Sequence, residues 1–271
     1  MSDQLPSTDA YLGVTASWTS WTPDGKIVYV SNASGNFDIW VMNGDGSDKT
    51  QLTFDPSDDF SPAMTPDSRY IVFASDRAGT SSSMELWRMD ADGGHPKQLS
   101  DRIEDLGPQC SPDSRWVVYG TVISGKAALW RVSIDGGNPV QLTHKESDSP
   151  VVSPDGKWIA CRYWNEQSDS PKHIAVIPFE GGEPIKVFEN PQSGFPQRIR
   201  WRPDGRAITY VDTRGGVSNI WSQPIDGGPA RRLTDFKDQL IFAHDWSPDG
   251  KQFACARGVL VSTVVLITDS K

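Results

Sequence analysis

The chain is 271 residues long and holds only three cysteines and four histidines. Cys110, Cys161 and Cys255 lie in apolar stretches of three different segments and read as small buried hydrophobes. That usage fits a reducing compartment without demanding one. His95, His144, His173 and His244 are scattered, with no metal-ligand spacing. The chain has no Gly-x-Ser-x-Gly elbow, no His-Glu-x-x-His, no Cys-x-x-Cys pair and no phosphate loop, so the common hydrolase, zincin and nucleotide chemistries have no motif to rest on. Basic residues are in deficit. Twenty-six Lys and Arg face 35 Asp and Glu, a net charge of −9, which argues against nucleic acid and anionic membrane surfaces as partners. The longest apolar run, residues 259–267, is broken by Ser262 and Thr263 and is too short to span a bilayer. Residues 1–10 lack the basic start and apolar centre of a secretory leader.

What the chain does have is a period. Pro-Asp-Gly, or Pro-Asp-Ser, begins at Pro23, Pro66, Pro112, Pro154, Pro203 and Pro248, at intervals of 43, 46, 42, 49 and 45 residues. Six copies of one supersecondary unit are implied. Five and seven residues after each proline the side chains are apolar throughout, as at Ile71 and Phe73 or Ile159 and Cys161. Runs of this kind predict a central strand buried on both faces. Two residues before the proline stand Trp21, Met64, Cys110, Val152, Trp201 and Trp246, which places a short strand on the other side of the turn. Proline pre-sets φ there, and glycine accepts the positive φ that follows. Ser68 and Ser114 lack that freedom, so their turns are expected to be more strained.

A third strand carries Trp40, Trp87, Trp130 and Trp221. A Gly-rich turn such as Asp135-Gly136-Gly137 follows, and then an outer strand ending in sequences such as Gln141-Leu142-Thr143. Seven of the eleven tryptophans fall on the two repeating core positions and are assigned to packing between copies. The expectation is therefore an all-β, six-bladed β-propeller of four antiparallel strands per blade, as one domain over residues 1–271. The blades span approximately residues 15–53, 58–100, 104–143, 147–188, 195–234 and 240–271. The last copy stops after its third strand, so residues 8–14 are expected to add the missing outer strand and close the ring.

The candidate site lies just ahead of the inner strands. Asp58 and Asp59 stand there in the second copy, Glu104 and Asp105 in the third, and Glu146 with Asp148 in the fourth. Arg198 and Arg200 answer in the fifth copy, and His244 and Asp245 in the sixth. If these loops converge at one mouth of the channel, an acidic arc faces a basic one, an arrangement suited to a zwitterionic or peptide-like partner. The competing reading gives each acid a local capping role ahead of Pro62, Pro108 or Pro150, prolines that fit an inner edge strand facing the channel. A carboxylate ring could also hold calcium on the axis. No other cofactor is implied. Trp164, in a polar insertion over residues 163–172, is either a contact residue or folded back on its own blade.

Ser153-Pro154-Asp155-Gly156-Lys157-Trp158-Ile159-Ala160, Trp246-Ser247-Pro248-Asp249-Gly250-Lys251 and Ala74-Ser75-Asp76-Arg77-Ala78-Gly79 resemble the TolB-type, WD-like propeller repeat, over essentially the whole chain. The resemblance implies the propeller fold. It includes a periplasmic interaction protein and the non-catalytic propellers of peptidases. The second half resembles more closely the C-terminal propellers of bacterial eukaryotic-like serine/threonine kinases, through Ile174-Ala175-Val176-Ile177-Pro178-Phe179-Glu180-Gly181-Gly182, residues 211–221 and Val264-Val265-Leu266-Ile267. That implies a sensor or docking part of a larger signalling protein. It would be extracytoplasmic if the kinase is membrane-anchored and cytoplasmic otherwise. No catalytic set is visible, and kinase activity has no His-Arg-Asp or Asp-Phe-Gly to reside in. The expected function is non-enzymatic binding of a protein, peptide or small polar ligand by a monomer. The alternatives are a metal-dependent hydrolase or lyase with its site on the axis, and the gating propeller of a separate peptidase.

Overall fold

In blades 1 to 4 the Pro-Asp turn is organised by the hydroxyl that precedes the proline. Thr22, Thr65, Ser111 and Ser153 donate to the aspartate two residues on, at 2.5, 2.7, 2.5 and 2.6 Å. The same hydroxyl accepts the N–H of the first residue of the next strand, as from Trp158 at 3.0 Å. The hydrogen-bonded side chains hold the reversal closed, and the residue after the aspartate takes a left-handed conformation. Gly25, Gly156 and Gly205 do so at φ 82°, 70° and 67°. Ser68 and Ser114 are held at φ 59°, which is the strain expected of a residue with a Cβ.

The computed structural model of the chain describes residues 19–79, 84–100, 106–123, 125–164, 173–189, 199–247, 250–251 and 253–259. Blade 1 is β1 (Thr19–Trp21), β2 (Lys26–Ser31), β3 (Asp38–Asn43) and β4 (Thr50–Gln51). Blade 2 is β5 (Asp59–Met64), β6 (Tyr70–Ser75), β7 (Glu85–Asp90) and β8 (Lys97–Gln98). Blade 3 is β9 (Leu106–Cys110), β10 (Trp116–Ile123), β11 (Lys126–Ser133) and β12 (Val140–Gln141). Blade 4 is β13 (Ser147–Val152), β14 (Trp158–Tyr163), β15 (His173–Pro178) and β16 (Lys186–Phe188). Blade 5 is β17 (Arg200–Trp201), β18 (Ala207–Arg214), β19 (Val217–Pro224) and β20 (Arg231–Arg232). A sixth sheet pairs β21 (Leu240–Trp246) with β22 (Phe253–Gly258). Every sheet is an antiparallel meander in chain order.

The expectation of six four-stranded blades is thus corrected to five, with a two-stranded sixth sheet among the described residues. The strand expected at residues 264–267 and the closing segment at residues 8–14 lie outside the described residues. The hub is nevertheless continuous. β1, β5, β9, β13, β17 and β21 each touch the next, and β21 touches β1.

The apolar core is divided among the gaps between blades. One cluster joins Val28 and Ile39 of blade 1 to Ile71, Phe73 and Met89 of blade 2. Others join blades 2 and 3 around Leu86, Tyr119 and Trp130, and blades 3 and 4 around Leu129, Ile159 and Ile177. Blades 4 and 5 meet around Ile174, Trp201 and Tyr210, and Ile220 of blade 5 meets Ile241. A central strand is covered by a neighbour on each face, which is why Ile71, Val72 and Phe73 are all fully buried. Each such side chain contributes about 1.5–3 kcal/mol.

Candidate functional site

Three residues before each turn proline stand Ser20, Ala63, Gln109, Val151, Arg200 and Asp245. All but Ala63 line a cavity of about 180 Å³ on the propeller axis, together with Ser61, Pro62, Gly107, Pro108 and Trp201. Every inner strand therefore contributes to one chamber. In blades 2 and 4 the inner strand breaks register, between Phe60 and Ala63 and between Asp148 and Val151. In blade 3 the break falls opposite Val118 and Gly120. The residue before the proline is left-handed in each, with Ser61 at φ 53°, Gly107 at 64° and Ser149 at 53°. A bulge of this kind suits a strand whose free edge faces the channel, where proline has no ladder bond to lose. Pro62 and Pro108 line the chamber, as their place on an inner edge strand predicts.

The other half of the chamber wall carries the charge. Arg200 Nε lies 3.2 Å from Asp245 Oδ1, and the two side chains are 13% and 28% exposed. Arg200 also donates to its neighbour's carbonyl, Ile199 O, at 2.9 Å. The Trp201 indole N–H donates to Val151 O at 2.9 Å and is fixed in place. Among the described residues the remaining lining is neutral, so they present one cation and one anion side by side against hydroxyls, an amide and proline rings. Such a surface can pair both ends of a small zwitterion.

The other residues expected at the rim are placed differently. Asp59 is fully buried, and Arg77 grips both its oxygens at 2.9 and 2.8 Å. Burial pushes the Asp59 carboxyl above the ordinary range, while Ser75, Arg77 and Thr53 pull the other way. Asp58 accepts the backbone N–H of Phe37 at 3.0 Å and donates its own N–H to Asp76 at 2.9 Å. Asp148 pairs with Arg162 through both oxygens, and that guanidinium lies 5.7 Å from the Trp164 ring centre. Trp164 is therefore folded against its own blade, its N–H bonded to Glu146 O at 2.9 Å. Glu146 itself is half-buried. His244 is buried between blades 5 and 6, with Nε2 3.0 Å from Thr209 Oγ1. Glu104, Asp105 and Arg198 lie outside the described residues. Three acids of the expected arc are thus engaged elsewhere. Asp58, Asp59 and Asp148 tie loops and strands together, because an arginine or a backbone N–H stands within hydrogen-bond reach of each.

Arg200 and Asp245 were legible in advance, whereas Ser20, Ser61, Gln109 and Trp201 were not recognised as lining residues. For Ser20 and Gln109 the signal is the position three before the turn proline, and for Ser61 it is the small-residue–Pro step that marks the bulge. None of the three cysteine thiols is activated by its surroundings. Burial, reinforced by Asp67, pushes the Cys110 thiol up to about 12, and burial likewise raises Cys161 and Cys255. Among the described residues no three His, Cys, Asp or Glu side chains come together as a metal site. Among the described lining residues the one carboxylate is that of Asp245, already held by Arg200, a poor donor set for a hard cation.

Residues 10–100 match the family model described as the TolB beta propeller domain. An uncharacterised protein of Agrobacterium fabrum is 35% identical over 85 residues, 31% of this chain and 28% of that protein. Tricorn protease homolog 1 of Streptomyces coelicolor is 33% identical over 82 residues, 30% of this chain and 7% of the homolog. Among solved structures, TolB from Acinetobacter baumannii superposes with a TM-score of 0.64 at 20% identity, covering 79% of this chain and 55% of that one. An oligogalacturonate lyase in complex with manganese superposes with a TM-score of 0.60 at 17% identity, covering 87% and 69%. The chain thus spans well under a third of these two sequence relatives and about half of the TolB chain. The fold is that of a TolB-type β-propeller.

Proposed function

We propose that this chain is a non-enzymatic binding propeller whose axial chamber takes a small zwitterionic group, such as the end of a peptide. The observation that carries the reading is the Arg200–Asp245 pair at the wall of a chamber whose other described lining residues are neutral. A ligand carboxylate can share the guanidinium while its ammonium meets Asp245, an exchange of charge partners that leaves no buried ion alone. About 180 Å³ admits a dipeptide-sized group and not a drug-sized ligand. The place of the propeller as the sensor part of a larger signalling protein, such as a kinase, rests on sequence resemblance alone.

Titration of the whole chain with glycylglycine, followed by NMR at the Trp201 indole N–H, tests this. A saturable shift is expected, absent for the same peptide blocked at both ends and absent in Arg200→Gln. Equal shifts from free and blocked peptide would remove the zwitterion from the reading.

The gating propeller of a peptidase is a second reading, supported by the segment shared with the tricorn protease homolog. It makes the chamber a path for peptides and not a resting place. Fast release of glycylglycine with no saturation, together with co-purification of a peptidase from the native host, would favour it over the first. The metal-dependent lyase or hydrolase reading is the weakest, given the donor set on the axis. A chelator is expected to leave thermal stability unchanged.

A further inference from the structure

Arg77 in blade 2 and Arg214 in blade 5 occupy the same register, eleven residues after the turn proline. Both donate Nε to the residue two positions earlier, Arg77 to Ser75 Oγ at 2.9 Å and Arg214 to Asp212 Oδ2 at 2.8 Å. Both guanidinium groups stand by the tryptophan of the third strand, 5.3 Å from the Trp87 ring centre and 5.7 Å from that of Trp221. They differ in what their outer nitrogens hold. Arg77 Nη2 meets Asp59 Oδ2 at 2.8 Å and Asp55 Oδ2 at 2.8 Å, and its side chain is 13% exposed. Counted back from the turn proline in sequence alone, the counterparts of Asp59 and Asp55 are Pro196 and Gln192, and no Asp or Glu occurs in residues 190–198. Arg214 is 74% exposed, and among the described residues its outer nitrogens have no hydrogen bond.

Beside that guanidinium is a cavity of about 430 Å³, whose lining includes Trp221, Arg232, Phe236 and Lys237. This is within the usual size of a small-molecule site. The wall opposite is held in shape. Asn219 accepts the Phe236 N–H at 2.8 Å and donates to Phe236 O at 3.3 Å. The Arg257 guanidinium packs 3.7 Å from the centre of the Phe236 ring. Arg232 and Lys237 share Asp235 at 2.5 and 2.7 Å. With Arg214 paired to Asp212, three cations face two carboxylates in a chain whose net charge is −9.

We propose that this cavity binds an organic carboxylate with a flat apolar body. Its carboxylate takes on Arg214 the place that Asp59 holds on Arg77, and its body lies against Trp221 and Phe236. Blade 2 is the internal template: the same fork, aimed by the same Nε bond over the same indole, already holds a carboxylate there. Blade 5 has kept the fork and lost the acid. The site shares no lining residue with the axial chamber, and its test is independent of that reading.

The probe is phenylacetate, added to the whole chain with the tryptophan indoles labelled for NMR. Saturable movement of the Trp221 signal is expected by roughly 10 mM, the range a fragment with one charged contact reaches. Phenethylamine, with the same body and the opposite charge, is expected not to bind. Arg214→Gln should weaken phenylacetate binding about 10-fold or more. Because glutamine leaves the buried Asp212 without its cation, Arg214→Lys is the companion variant. It keeps the charge but not the two-pronged grip, and should also weaken binding. Asp212→Ser copies Ser75 of blade 2, removes a competing carboxylate and should tighten binding. No movement of Trp221, equal binding of the amine, or undiminished affinity in both Arg214 variants would overturn the proposal.

Discussion

In blades 1 to 4 the hydroxyl before the turn proline helps to set the charge state of the aspartate it faces. At Asp155 the Ser153 hydroxyl is the largest influence and holds the carboxyl below its ordinary value, with help from the Lys157 backbone and side chain. Thr22 does the same for Asp24. At Asp67 and Asp113 burial pulls upward, but the hydroxyl and the following arginine prevail and the net displacement is again downward. A carboxyl whose folded value lies below its unfolded one contributes stability above the unfolded value. That contribution is lost as pH falls through the folded one. Ser153→Ala is therefore expected to move the Asp155 titration midpoint upward, read by carbon NMR of its carboxyl. It should also flatten the loss of stability on acidification below about pH 4. An unmoved midpoint would show that the hydroxyl is incidental. Residue roles of this local kind were legible, since Ser-Pro-Asp-Gly places hydroxyl and carboxylate within one turn. The roles of Asp59 and Asp148 were not, because Arg77 and Arg162 stand 18 and 14 residues away in sequence.

At the scale of elements, the Gly-rich turn of one blade rests on the outer strand of the blade before it. Gly182 N–H donates to Leu142 O at 2.9 Å. A Cβ at Gly181 would stand 2.8 Å from that same carbonyl oxygen, and Gly181 is at φ 90°. Gly93 approaches Leu52 O of blade 1 in the same way, with a Cβ distance of 2.4 Å. Gly227 in blade 5 has a similar φ of 96° but no atom within 4 Å of its notional Cβ. Gly227→Ala is thus expected to cost only the backbone strain, about 1–2 kcal/mol. Gly181→Ala should cost clearly more, because the neighbouring strand must also shift. Urea unfolding of the two variants makes the comparison, and equal losses would deny the glycine its role in blade stacking. The strands themselves were readable from alternation and turn spacing. The bulges were not, although the small-residue–Pro step four residues before the turn proline recurs in blades 2, 3 and 4.

For the whole molecule, the consequence of a continuous hub is cooperativity. Five apolar layers each join two blades, and the inner strands touch in a complete circuit. No blade can open without exposing the faces of its neighbours. Unfolding in urea is expected to be one transition, coincident by far-ultraviolet circular dichroism and by tryptophan fluorescence. Two separated transitions would mean that the blades behave as a loosely coupled array.

By itself the sequence determined the blade. Its period, its turns and its doubly buried central strands follow from short-range chemistry, and so does the assignment of Trp87, Trp130, Trp201 and Trp221 to the layers between blades. Only the tertiary structure decided which charges meet. Asp59 goes to Arg77, Asp148 to Arg162 and Arg200 to Asp245, while among the described residues Arg214 has no acid beyond Asp212. Charge pairing acts over a few ångströms in space, and residues of different strands and blades reach that distance only once the sheets have stacked around the axis.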